Sequence, residues 1–431
     1  MQQVNRVRRM AAVVLAAGLM ASGCGLSGGG QAPAAGPADG QVTGTISFQT
    51  WNLRAKYSDY FNGVIKKFQV EHPGTTITWL DQPADGYADK LSADASANAL
   101  PDVVNLSPDL AFPLYQRKLL VDLDQAVPDA VKEYLPGAWQ GFVMPGQRDS
   151  YSFPWYLNTG PVFYNKKLFA DNGLDPAKPP RTYTELRDQA LVLAAKSQGA
   201  VAMFGQTPGI EDFGLYGVEL MNPQGTKFTF NSAKGVELTE LFKQMYDVKA
   251  LLPEALTATY TGSGKKFMAQ QVALSSGSAY DLKNFKTDAP GLYANIGITT
   301  PMTNTGKANM YLQGVSVSAN SKNKATALAF ARYVTNAENQ LAFAKIVTIF
   351  PSTTGTLNDP YFTTDDGTDD ARVRVAAAKQ LATAVNYTPV SFTDQMKSIL
   401  RNELANVMLG KSTAQQALDS AVAQCNKLLA A

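Results

Sequence analysis

One histidine, two cysteines and scattered carboxylates, amides and aromatic rings are what this 431-residue chain offers for chemistry. His72 stands in EHPG, where Pro73-Gly74 ends a helix, so a cap or surface role is expected. A Ser-His-Asp triad would have to use it, and no His/Cys cluster has zinc spacing. Carboxylates alone can hydrolyse glycosides, and Asp122/Asp124 and Asp81/Asp85 are the acidic pairs available. Both pairs fall in strand-to-helix loops, where caps and turns are common. The run TTDDGTDDAR (363–372) gathers four aspartates about a glycine. Its spacing is not that of an EF-hand, and a solvated turn with a helix N-cap before Ala371 is expected. No cofactor or metal is called for, and the missing catalytic apparatus favours a binder over an enzyme.

Cys24 has a different chemistry. Arg6, Arg8 and Arg9 precede an apolar stretch from Met10 to Ala21, too short to span about 30 Å of hydrocarbon but suited to export. Its ending, Ala21-Ser22-Gly23-Cys24, resembles the bacterial lipoprotein signal, which implies acylation of Cys24 and cleavage before it. An ordinary secretory signal is the competing reading, and Arg8-Arg9 leaves twin-arginine export open. Residues 1–23 are therefore expected to be a signal peptide and 24–41 a flexible tether, rich in Gly, Pro and Ala. Removing 1–23 leaves 35 basic residues against 36 acidic ones, with none of the basic runs nucleic acid would need. Cys425 lies on the helical stripe Leu418, Val422, Cys425, Leu429 and reads as a buried small hydrophobe.

The elements that position these groups can be read from periodicity. TISFQTW (45–51) alternates as a strand, and Tyr57, Tyr60, Phe61, Val64, Ile65 and Phe68 recur at helical spacing. A strand at Thr76–Leu80, a helix over about Tyr87–Ala97 and a short buried strand at Val103–Leu106 complete a βαβαβ rhythm. That rhythm implies a mostly parallel sheet with right-handed crossovers. Ligands of such sheets gather beyond the carboxyl ends of strands, where Trp51, Asn52, Ser107 and Asp109 fall. Later strands are expected within 152–169 and at Gln271–Ser275, Tyr293–Ile298 and Gly314–Ser318. Helices are expected after the capping boxes Thr182/Glu185 and Thr413/Gln416, and over Ala233–Val248, Thr326–Thr335 and Glu338–Val347. The body, roughly 390 residues, exceeds what one core usually organises, so two lobes are expected.

Several stretches occur in an order that resembles a known family. They are FQVEHPGTTITW (68–79), LPDVVNLSPDLAFPLYQRKLLVDLD (100–124), FPWYLNTGPVFYNKKLFADNGL (153–174) and PPRTYTELRDQA (179–190). VALSSGSAY (272–280), GVSVSANSKNKATALAFARYVTNAENQLAF (314–343) and LANVMLGKSTAQQAL (404–418) follow. Together they are similar to the extracellular solute-binding proteins of carbohydrate ABC importers, the group of maltose-binding protein. The resemblance implies an α/β fold of the two-lobed periplasmic-binding-protein type II, each lobe a mostly parallel sheet flanked by helices. Three hinge crossings are implied near Pro154–Asn158, Ser275–Gly277 and Ala319–Ser321. The lobes would be 42–155 plus 277–319 and 156–276 plus 320–431. The implied protein is a monomer, lipid-anchored outside the cytoplasmic membrane. It would close on a sugar or oligosaccharide and pass it unaltered to the importer's permease subunits.

Sugars present hydroxyl edges and flat apolar faces, so their sites want carboxylates, amides and aromatic rings. On that ground the resemblance points to Trp51, Asn52, Ser107 and Asp109, and to Trp155, Tyr156 and Asn158 on the first crossing. Asn158 stands where maltose receptors carry an acid. Glu211, Asp212 and Phe213 lie in a loop before a helix, Tyr280 is near a family tryptophan, and Ser352 and Gln395 belong to the last lobe. The competing roles are core packing for Trp51, helix capping for Asp109 and Asp212, and surface positions for Ser352 and Gln395. Two alternatives stay open: a secreted lipid-anchored glycosidase, and the same receptor fold for a non-sugar solute such as a glycerophosphodiester or polyamine.

Overall fold

The structure is a computed structural model that describes residues 40–430 except 84, 145, 147, 258–262, 278 and 348, and leaves out the side chains of 263, 279 and 280. The signal, the acylation at Cys24 and the tether up to residue 39 lie outside the described residues.

Among the described residues nine strands form two sheets: β1 Gly44–Trp51, β2 Thr75–Gln82, β3 Val103–Leu106, β4 Phe153–Asn158, β5 Val162–Asn165, β6 Leu274–Ser276, β7 Ile296–Thr299, β8 Tyr311–Val317 and β9 Phe350–Pro351. The first sheet has the order β2-β1-β3-β8-β4-β9 and the second β6-β5-β7. The βαβαβ start is parallel, with Gly44 opposite Thr75, Trp51 opposite Gln82 and Phe48 opposite Val103. Beyond it the expected mostly parallel arrangement gives way to antiparallel pairs, β3 with β8, β8 with β4 and β4 with β9. The reason is the direction of traffic. β4 carries the chain out of the first sheet into β5, and β8 brings it back from β7, so neighbouring strands must run in opposite senses.

Phe48, Phe61, Phe68, Trp155, Phe330 and Phe343 form the core on one face of the first sheet. A second core gathers Phe169, Leu186, Phe213, Phe230, Phe242, Leu404 and Cys425 around β5 and β6. The expected lobe limits do not coincide with this division. Ile296–Thr299, inside 277–319, pairs with β5. Helices Lys324–Val334 and Ala337–Ala344, inside 320–431, pack on the first core through Phe330 and Phe343. The chain passes between sheets at 159–161, between β7 and β8, and between helices Asp369–Leu381 and Asp394–Met408. Only the first lies near an expected crossing. Ser275–Gly277 belongs to β6 and its exit, and Ala319–Ser321 leaves β8 for the first lobe's own helices.

Local expectations fare better, because they rest on local chemistry. Thr182 accepts from the Glu185 amide at 3.2 Å, and Thr413 and Gln416 close a full capping box. Thr368 caps the helix that starts at Asp369, and Asp365 and Asp366 accept from Gly367 and Thr368 amides, so TTDDGTDDAR is a turn and cap. His72 ends its helix with its ring 4.5 Å from that of Phe68. Cys425 is fully buried, and burial pushes its thiol up to about 12.

Candidate functional site

The crossings are tied together at Asn309. Its carbonyl accepts from Thr159 Oγ1 at 3.0 Å, and its Oδ1 accepts from the Tyr387 amide at 3.0 Å. The Met310 amide donates to Val385 O at 2.9 Å. Next to this junction is a cavity of about 600 Å³, lined by Asn309 itself and by Asn158 and Tyr311 from the first sheet. The second lobe contributes Tyr183, Gln206, Glu211, Asp212, Lys397 and Arg401.

Each wall group is placed by the element carrying it. Asn158 ends β4 opposite Tyr311 at the start of β8, and Tyr311 is 53% exposed. Helix Ile210–Tyr216 starts after Gly209, whose amide donates to Asp212 Oδ2 at 2.7 Å, while Tyr183 Oη donates to Asp212 Oδ1 at 2.6 Å. Burial, and then the charge of Glu211 beside it, push the Asp212 carboxyl up to about 7. Burial and the Asp212 charge likewise hold the Tyr183 phenol well above its usual range. Lys397 and Arg401 lie one turn apart on helix Asp394–Met408, flanking its buried stripe Met396, Leu400, Leu404. Burial works against the Lys397 charge, but Asp394, Asp109 and Glu211 outweigh it and hold the ammonium above an ordinary lysine. The Arg401 side chain has no hydrogen bond or ion pair among the described residues.

Of the residues singled out in the sequence, Asn158, Glu211 and Asp212 line this cavity. Asp109 is bonded to Ser107 Oγ and reaches across to Lys397 at 3.6 Å. Trp51 is half-buried against Tyr87, ring centres 5.4 Å apart, and the Tyr156 ring lies 5.1 Å from that of Trp155. Asn52 is exposed in the left-handed region at φ 55°. Gln395 is exposed in the first turn of its helix, off the cavity wall. The side chain of Tyr280 lies outside the described residues.

Three expectations need correction. Trp155 is fully buried between Phe48, Phe61 and Phe343, at 6.3, 5.8 and 5.8 Å, and cannot touch a solute without dismantling the core. Phe213 is fully buried in the second core, 6.0 Å from Phe230. Ser352 is fully buried and donates to Pro154 O at 2.7 Å, holding β4. Three members of the acidic pairs hold backbone amides: Asp122 caps its helix by accepting from the Gln125 amide, Asp124 accepts from the Ser150 amide, and Asp81 accepts from the Leu53 and Arg54 amides at the start of helix Arg54–Glu71. Asp149 brings a third carboxylate within 4.8 Å of Asp122 and Asp124.

Tyr183, Tyr311, Lys397 and Arg401 were not singled out. A signal existed for the last two, since basic residues four apart flank an apolar stripe in DQMKSILRNEL (394–404).

Residues 54–341 match the sequence model of the bacterial extracellular solute-binding proteins. A candidate binding protein of Brucella abortus is 24% identical over 398 residues, covering 90% of this chain and 93% of the relative. The sn-glycerol-3-phosphate-binding periplasmic protein UgpB of Salmonella typhimurium is 28% identical over 313 residues, 64% of this chain and 67% of UgpB. A crystal structure of a candidate oligosaccharide periplasmic-binding protein from Synechococcus sp. MITs9220 superposes with a TM-score of 0.81 at 25% identity, covering 89% of this chain and 99% of that one.

Proposed function

Because the chain belongs to the bacterial extracellular solute-binding protein family, we propose that it captures an oligosaccharide between its two lobes and delivers it unaltered to the membrane subunits of an ABC importer. The cavity carries this reading: about 600 Å³ at the junction of the crossings, with wall groups from both lobes. Tyr311 offers a ring face, and Asn158, Gln206, Glu211 and Arg401 offer the amides and charges that bind hydroxyls most strongly. A solute held from both sides stabilises the approached lobes by its differential affinity, with no chemistry done on it. Lipidation at Cys24 would keep such a receptor, a monomer, at the outer face of the membrane.

One observation favours a second reading. Lys397 and Arg401 place two cations on the wall, as a glycerol-phosphate solute would require, and UgpB is named for such a solute. Glu211 in the same cavity would repel a phosphate dianion, so the neutral polyol is preferred.

Thermal-shift titration separates these readings. A solute binding only the folded chain at a hundred times its Kd adds about 2.7 kcal/mol and raises Tm by a few degrees. A malto- or other oligosaccharide should do this and be recovered intact, whereas glycerol 3-phosphate should not. Tyr311→Ala should weaken the sugar by about 1 kcal/mol beyond lost contact area. Sustained cleavage of a glycan by the purified chain would replace the receptor with a glycosidase.

A further inference from the structure

Asp109 sits in the first turn of helix Pro108–Gln116, packed on the first sheet, and Ser107 Oγ donates to its Oδ1. Its Oδ2 lies 3.6 Å from Lys397 Nζ, which belongs to the second lobe and lines the cavity. The other ion pairs among the described residues stay within one helix, one loop or one lobe, such as Lys67–Glu338, Arg332–Glu133 and Lys266–Glu254. A second carboxylate, Asp394, holds the same ammonium at 2.9 Å from its own helix, and Glu211 acts on it from the cavity wall.

We propose that Asp109 and Lys397 form a charged strap across the cleft, holding the lobes in close approach and slowing release of a captured solute. The proposal rests on the receptor reading. A contact between two bodies exists only where they approach, so it favours that arrangement over any separated one by its own net free energy. Asp394 keeps the ammonium paired when the lobes part, so opening forfeits the Asp109 contact alone. Both partners are about a third exposed, at 38% and 33%, which places the strap in the class of weak, salt-sensitive pairs. Such a pair shifts an equilibrium by up to about fivefold. That is enough to tune capture and too little to lock the cleft.

The test needs no ligand. Spin labels at Asp89→Cys and Asn402→Cys, in a Cys24→Ser background of the full chain, report the interlobe distance by pulsed EPR; both sites are exposed and Cys425 is buried. At about 20 mM salt, Asp109→Asn and Lys397→Met should each raise the separated fraction by up to fivefold. The double variant should go no further than either single one, and Lys397→Arg should match the unaltered chain. Raising salt to about 0.5 M should move the unaltered chain toward the variants and leave the variants in place. A distance distribution indifferent to all these changes, or additive single effects, would overturn the strap. Because no solute is present, that failure would leave the receptor reading to be judged by the thermal titration.

Discussion

The carboxyl of Asp212 accepts hydrogen bonds from Tyr183 Oη and the Gly209 amide where most of its water has been removed. Burial and Glu211 raise it to about 7, while those two bonds limit the rise. An unfolded aspartate titrates near about 4, so between about pH 4 and 7 the folded chain holds a proton that the unfolded chain has released. Stability from this group is therefore fully present at low pH, declines as pH rises through that window, and levels off above it. The expected outcome is a Tm that falls from pH 5 to 8, with Asp212→Asn removing on the order of 2 kcal/mol of that slope. An identical slope in the variant would place the titration elsewhere. Asp212 also shows how function and capping coincide. Read from sequence it is a cap or a cleft residue, and in the structure it is the N3 cap of its helix and part of the cavity wall. Trp155 was not legible in this way. β4 is buried on both faces at Phe153–Trp155, so alternation offers no solvent side from which to tell a cleft ring from a core ring.

Among the elements, β4 bears the most, since it is paired on both edges and carries the chain between lobes. Its outer edge meets only the two residues of β9, and a side-chain clamp makes up the shortfall. Gln340 Oε1 accepts from the Ser352 amide at 2.6 Å, Gln340 Nε2 donates to Ser352 Oγ at 2.9 Å, and Ser352 Oγ donates to Pro154 O. Ser352→Ala removes the hydroxyl that Gln340 Nε2 and Pro154 O share, leaves the amide bond to Gln340 in place, and should cost about 1–3 kcal/mol by chemical unfolding. Oligosaccharide affinity should persist, because Ser352 lines no part of the cavity. Trp155→Ala empties a core position and should cost about 3–5 kcal/mol. A large loss of binding in Ser352→Ala without loss of stability would return that residue to the site. The βαβαβ start, the capping boxes and the helix stops could be read from sequence because each depends on neighbours within a few residues. The allegiance of Ile296–Thr299 could not. It pairs with Val162–Asn165, over a hundred positions away, and nothing within a four-residue apolar strand says which sheet it completes.

For the whole molecule, the two-lobed α/β architecture followed from length and element order, whereas the lobe limits depended on pairings that no local pattern encodes. The charge balance, legible from the start, decides how the proposed receptor would stay at a membrane. Without residues 1–23 the chain has 35 basic and 36 acidic residues, and among the described residues no helix is long and apolar enough to cross a bilayer. Attraction to anionic lipid is worth about 1 kcal/mol for each basic residue near the surface, and a balanced surface gives little of it in net. Buried acyl carbons contribute about 0.8 kcal/mol each, so lipid on Cys24 would supply nearly all the retention. Cys24→Ser should therefore move the protein from the membrane fraction to the soluble fraction completely, with the ligand-induced Tm shift of the released protein unchanged. Partial retention would expose a second membrane contact on the body, and full retention would rule out Cys24 as the anchor.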